Sequence, residues 1–513
     1  MDRRGILAFP VWRPVHAAIL LAGYQLPRPV GGRATVSDRG GGQVTHPPNV
    51  RTAPEHARAR PSAPAAVPVP QAPPVRPHPG VWAVTSRRLR TAATTEPGRL
   101  RIIGAVLALC VVAFGAVTTF EIGDRAAAAD DVVHRSQPLS ASAAAIYRSL
   151  ADADTAAASG FLAGAQEPRA VRDRYDKDVE EASRLLVRAA AGTDPASESG
   201  REITTLNKEL PRYTGLIERA RANNRQGLPL GGAYLRYANQ KMTDVLLPAA
   251  ERLYAAETDR LGRDADEAGA WPFLSLGLGG LAVAALFWAQ RRNYRRTNRV
   301  FNHGLLVATA ASAVVLLWLA VGHTVARAEL RNADTHGQQS LDVLNHARIN
   351  SLKARANENL TLVARGAVLT PDGRNDKYET DYNTEMKALD EQLARATELA
   401  GADDRGNAPV KAAIDAVSEW RDRHRTARTT DDSGDYDGAL EQITGPEKST
   451  GESFGRVDDA LAQALAHEQD QFTTAANNGL GALVWLPVGA AVLAALGAVA
   501  AIVGVNRRLS EYR

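Results

Sequence analysis

Few side chains in this sequence are spaced for chemistry, and those that come nearest fall short of it. His336 and His346 share an expected helix but stand ten positions apart, whereas a helical metal pair needs i,i+4 spacing. The acidic run 431–437 offers Asp431, Ser433 and Asp435 at alternate places, as a calcium loop does. Tyr436 stands where such a loop needs glycine and Gln442 where it needs a bidentate acid, so a solvated acidic turn is expected. Cys110, the only cysteine, lies in an apolar run, away from any outer thiol chemistry. Gly277, Gly279 and Gly280 also lie in an apolar run, where small residues allow close helix packing rather than cradle a phosphate. The residues therefore predict no enzyme, no metal and no cofactor.

One segment concentrates recognition chemistry. Asn223, Asn224, Arg225 and Gln226 precede a Gly-Leu-Pro turn, and Tyr234 opens the helix after it. These side chains suit a loop that docks a ligand or a protein. They equally suit a capping loop whose amides satisfy free backbone groups at helix ends. A second candidate contact is the arginine set Arg291, Arg292, Arg295, Arg296 and Arg299, with no acid among them.

The elements that must position these groups begin with four long uncharged apolar stretches, 102–120, 271–289, 304–322 and 481–505. Each is about the 20 residues that cross a bilayer. Trp271, Trp288, Trp318 and Trp485 lie in or at the ends of these stretches, as interfacial anchors do. Arginines precede the first stretch, fill the loop 290–303 and follow the last in 506–513, so the positive-inside rule places both termini in the cytoplasm. The polar segments 123–270 and 323–480 are then extracytoplasmic, in a multi-pass plasma-membrane protein. The net charge of +4 reflects these membrane-flanking arginines, which meet anionic lipid, and predicts no nucleic-acid partner. Mid-membrane positions lack ionisable residues, which argues against transport. Residues 1–100 are rich in Pro, Ala, Gly and Arg and should form a disordered cytoplasmic tail. Val84 is an alternative start of translation.

The two outer segments read as copies. Arg174-Tyr175-Asp176-Lys177-Asp178 matches Lys377-Tyr378-Glu379-Thr380-Asp381, each after a Gly-containing break. The breaks predict helices over 123–163, 169–191, 198–224 and 232–269, then over 323–369, 375–400, 408–428 and 438–478. The first and last helix of each half should run unbroken out of the flanking spans, giving two helical pairs, each a piston under its own bundle. The first and third breaks of each half should share a membrane-distal tip. The fold class is thus all-α: four transmembrane helices carrying two tandem extracytoplasmic four-helix bundles.

This layout resembles the outer half of bacterial chemoreceptors and sensor kinases, without their cytoplasmic output domains. The segment Ala220-Arg221-Ala222-Asn223-Asn224-Arg225-Gln226-Gly227-Leu228-Pro229-Leu230-Gly231-Gly232-Ala233-Tyr234-Leu235 and the arrangement of 84–513 resemble the GlnX-type membrane signalling proteins of actinobacteria. That resemblance implies a relay, in which an extracytoplasmic amino-acid-binding lipoprotein docks outside and a cytoplasmic Ser/Thr protein kinase receives the signal. The expected docking loop is 223–234, and the expected partners also include membrane lipids and a second copy of the chain. The alternatives are a direct small-molecule sensor of chemoreceptor type and a structural envelope scaffold.

Overall fold

The computed structural model describes residues 96–297, 302–401 and 404–510. Among them there is no strand, and the one isolated bridge joins Leu369 to Asp376. The expected tail therefore lies outside the described residues except at its end, where helix α1 already begins at Glu96.

Helix α1 (Glu96–Asp131) passes through a π-helical turn (Val132–Ser136) into α2 (Gln137–Leu162). Helices α3 (Arg169–Gly192), α4 (Glu198–Arg225) and α5 (Leu230–Lys241) follow, and a second π turn (Met242–Leu246) leads into α6 (Leu247–Gly269). Helix α7 (Phe273–Thr297) is the second span. The second half repeats the order: α8 (His303–Asn332), a π turn (Ala333–Gln338), α9 (Gln339–Ala364), α10 (Lys377–Ala400), α11 (Asp404–Asp432), α12 (Tyr436–Thr444), α13 (Thr450–Val484) and α14 (Leu486–Ser510). Four helical stretches are long and apolar enough to cross a membrane. The repeat extends to detail: Tyr175 and Tyr378 are both buried, and each ascending helix carries its π turn at the same place.

Two expectations of continuity are corrected. The helix expected over 438–478 is split by Gly445–Ser449, where the first half instead absorbs the irregularity in its π turn at Met242–Leu246. Ser449 restarts the chain as a reciprocal cap, accepting from the Glu452 amide at 3.1 Å while the Glu452 carboxylate accepts from the Lys448 amide at 2.7 Å. The ascending helices run unbroken from span to bundle, but the descending ones do not. The α6–α7 junction opens at Ala270–Pro272, and α13 stops at Trp485, just before Leu486-Pro487. Proline has no N–H to donate and its ring crowds the preceding turn, so the ladder stops at both places. The freed carbonyls at the first joint are satisfied by Arg125, which donates to Ala270 at 2.6 Å and to Trp271 at 3.1 Å.

The four spans form a single packed bundle rather than two separate pairs. Helix α14 lies against both α1 and α8: a Cβ on Gly115 would sit 2.1 Å from that of Ala494, and one on Gly304 would sit 2.5 Å from the Cα of Gly504. Only glycine permits that approach. The two outer bundles are fused as well. Helices α2 and α9 run side by side and parallel, with the Thr155 hydroxyl donating to the Leu352 carbonyl at 2.8 Å and Asn359 donating to Ser159 at 2.8 Å. One continuous apolar core runs through both bundles. Helix α2 is central because alanine dominates it. Ala143, Ala144, Ala151, Ala153, Ala156, Ala157 and Ala158 are all buried, small enough to let neighbours close in on several sides and strongly helix-forming.

Candidate functional site

The helices that continue the four spans outward, α2, α6, α9 and α13, surround a cavity of about 270 Å³. Two arginines, Arg148 from α2 and Arg348 from α9, line it, and no carboxylate is among the described residues of its wall. Arg348 donates to Asp458 at 2.6 Å, and Asp458 is shared with Arg174 at 3.2 Å. Arg148 has no such partner: it donates to the Asn345 side-chain carbonyl, and no acid among the described residues lies within ion-pair distance of it. Asn345 in turn contacts the Tyr254 hydroxyl at 3.4 Å. Burial first, and then the charge of Arg348, lower the Arg148 guanidinium to about 10. A half-buried charge with no acid in direct contact is costly to hold, although Asp458 beyond Arg348 offsets part of it.

A smaller cavity, about 200 Å³, lies higher between the same bundles and presents both signs of charge. There each charge has a protein partner. Lys377 pairs with Asp381, Lys353 with Glu385 at 3.8 Å, and Asp154 accepts from Asn239 at 2.7 Å and from Tyr213 at 3.1 Å. A buried acid of the second bundle, Glu358, is held by Arg355, by His424 at 2.9 Å and by the Trp420 indole at 3.2 Å.

The loop 223–234 is placed where the breaks predict. The Asn224 amide donates to the Phe161 carbonyl at 2.8 Å, joining the first and third breaks into one tip. In the second half Arg365 lies 3.8 Å above the Tyr436 ring, which joins the corresponding breaks. Asn224 thus caps the end of α2, whereas Asn223 bonds back one turn within its own helix, to the Arg219 carbonyl at 2.8 Å. Tyr234 is partly buried against the core. Arg225 and Gln226 are exposed, beside exposed Leu228, Leu230 and Tyr237. The acidic turn 431–437 is satisfied internally: Arg428 pairs with Asp431 at 2.7 Å and with Asp432 at 3.2 Å, and Asp435 caps Gly438. His346 is engaged by the Asp342 carbonyl at 2.9 Å.

At the opposite end, Arg291 and Arg295 are exposed on α7, and Arg292 lies 5.3 Å over the Trp288 ring. Arg296 ends the same helix, while Arg299 lies outside the described residues. The structure thus keeps the outer tip and the arginine loop apart and links them through the spans.

Sequence reasoning missed Arg148. Its one signal is an arginine set in an alanine-rich helix, between Ala143-Ala144-Ala145 and Ala151. No curated protein and no solved structure matches the chain significantly. Residues 128–266, the whole of the first outer bundle, match the family model of the Actinobacterial sensor domain. Together with the four apolar helices, that match supports a multi-pass membrane protein with a sensing or signalling role.

Proposed function

We propose that the chain is a non-enzymatic transmembrane signal relay. Its outer bundles respond to an extracytoplasmic amino-acid-binding lipoprotein, and its arginine loop, with both termini cytoplasmic, acts on a Ser/Thr protein kinase. The observation that carries the relay is the unbroken path Glu96–Leu162, in which one helix is both a membrane span and the centre of the fused outer core. A partner that favours one arrangement of that core necessarily favours one arrangement of the span. The exposed pair Arg225 and Gln226, ringed by apolar side chains at the tip, supports an outer docking surface.

A second reading, direct small-molecule sensing, is favoured by the cavity among α2, α6, α9 and α13. Photo-crosslinking residues placed at 225 and at 291 of the full chain in native membranes separate the two. The relay expects a lipoprotein captured at position 225 and a kinase at 291. Capture of a kinase at 291 with nothing at 225 supports direct sensing. Capture of neither defeats the signalling reading in favour of a scaffold.

A further inference from the structure

We infer that the cavity between α2, α6, α9 and α13 is a binding site for a small organic carboxylate, received by Arg148. Guanidinium presents five N–H donors in a planar fork that matches a carboxylate. In Arg148 that fork donates to Asn345 and has no acidic partner among the described residues. The neighbouring Arg348 adds positive charge to the same wall; Asp458 at 2.6 Å offsets Arg348, Asp152 at 2.8 Å offsets Arg174, and Arg148 is the guanidinium of the three with no acid in contact among the described residues. The wall thus asks for an anion that the protein does not supply. Its remaining surface says what kind of anion. Leu261, Leu341 and Phe472 alternate with the carboxamides of Gln137, Gln338 and Gln469, a lining suited to a short carbon skeleton with polar substituents. The lack of an acid in the described wall also disfavours a ligand that carries an ammonium group.

Position gives the site its leverage. Each of the four lining helices leads to a different span, and Gln338 belongs to the π turn Ala333–Gln338 itself. A carboxylate bridging α2 and α9 would draw the two halves together on the axis between them. The inference rests on the sensing reading for its consequence but not for its test, which needs no partner protein.

The test uses the full chain in lipid nanodiscs, with thermal unfolding followed by tryptophan fluorescence. Butyrate and succinate are titrated beside butylamine and inorganic phosphate. Ligand that binds only the folded state raises Tm with concentration, and the expectation is that the two carboxylates do so while butylamine does not. Arg148→Met should raise the Tm of the ligand-free protein, because it removes an uncompensated charge, and should abolish the carboxylate response. Arg148→Lys keeps the charge without the fork and should bind about tenfold to a hundredfold more weakly. A lowered ligand-free Tm in Arg148→Met with an intact carboxylate response would show Arg148 to be structural and overturn the site. So would a wild-type protein indifferent to both carboxylates. A response to phosphate equal to that to butyrate would overturn the organic part of the assignment. None of these failures touches the crosslinking outcome that decides the relay.

Discussion

Each outer bundle buries an acid on its central helix, and the two acids are stabilised in opposite ways. Asp154 in the first bundle meets only neutral donors, the Tyr213 hydroxyl and the Asn239 amide. Burial outweighs those two hydrogen bonds and lifts the carboxyl to about 6. Glu358 in the second bundle is equally buried, yet Arg355 and His424 overcome the desolvation and hold it below its usual range. Burial alone would push His424 down, but Glu358 and Glu379 raise it to about 9. The repeat therefore preserved a backbone while its halves diverged electrostatically. One half carries an acid that titrates close to neutrality, and the other a charged network locked in place.

The largest break in that comparison should come from Glu358→Gln. It strands the Arg355 guanidinium and the His424 imidazolium in the core, and removing one partner of a buried ion pair costs about 3–5 kcal/mol. Denaturant unfolding of the full chain should show a clearly lowered midpoint for the shared core; an unchanged midpoint would mean the network is not structural. His424 makes the next test. Its folded pKa is raised, so its contribution is complete below pH 6.5 and disappears as pH rises through about 9, amounting to about 3 kcal/mol at most. Stability followed from pH 6 to pH 10 should fall across that window in the wild type and stay level in His424→Gln. The smallest effect belongs to Asp154→Asn. A raised carboxyl pKa means the folded state holds its proton more tightly, so this contribution to stability declines as pH rises from the ordinary value of 3.8 to about 6. The asparagine variant should lose that decline, which amounts to about 3 kcal/mol at most. A variant that keeps the acid-side slope would place the titrating group elsewhere.

Much of this architecture was legible in the sequence because Gly, Pro and Asp mark where helices must stop. The helix expected over 169–191 is Arg169–Gly192, and that over 198–224 is Glu198–Arg225. What escaped has a physical reason in each case. Pro272 and Pro487 lie within the apolar runs, where the nearby tryptophans read as interfacial anchors and conceal the joints. The Gly445–Ser449 break was passed over because the stretches on either side of it keep a helical apolar spacing. Fusion of the two cores depends on contacts such as Thr155 to Leu352, which leave no periodic trace. The candidate sites fared unevenly for a similar reason. Asn224 and Arg225 look alike as polar loop residues, but only the structure shows that Asn224 is committed to the Phe161 carbonyl while Arg225 remains exposed. Arg148 looks like an ordinary solvated charge until the described wall of its cavity is seen to hold no acid.

The Trp–Pro joints divide the four membrane crossings into two mechanical kinds. A helix hydrogen-bonded throughout behaves as a stiff shaft, so a twist imposed on α2 or α9 would be carried across the membrane by α1 or α8. The same twist imposed on α6 or α13 meets an interruption in the ladder at Ala270–Pro272 or at Trp485, where backbone torsions can absorb it. On the proposed relay, the descending crossings would serve as bearings, holding their place in the span bundle while the shafts turned beside them. Two helical bundles sharing one core would then drive two shafts in concert, whose far ends lie around Glu96 and His303.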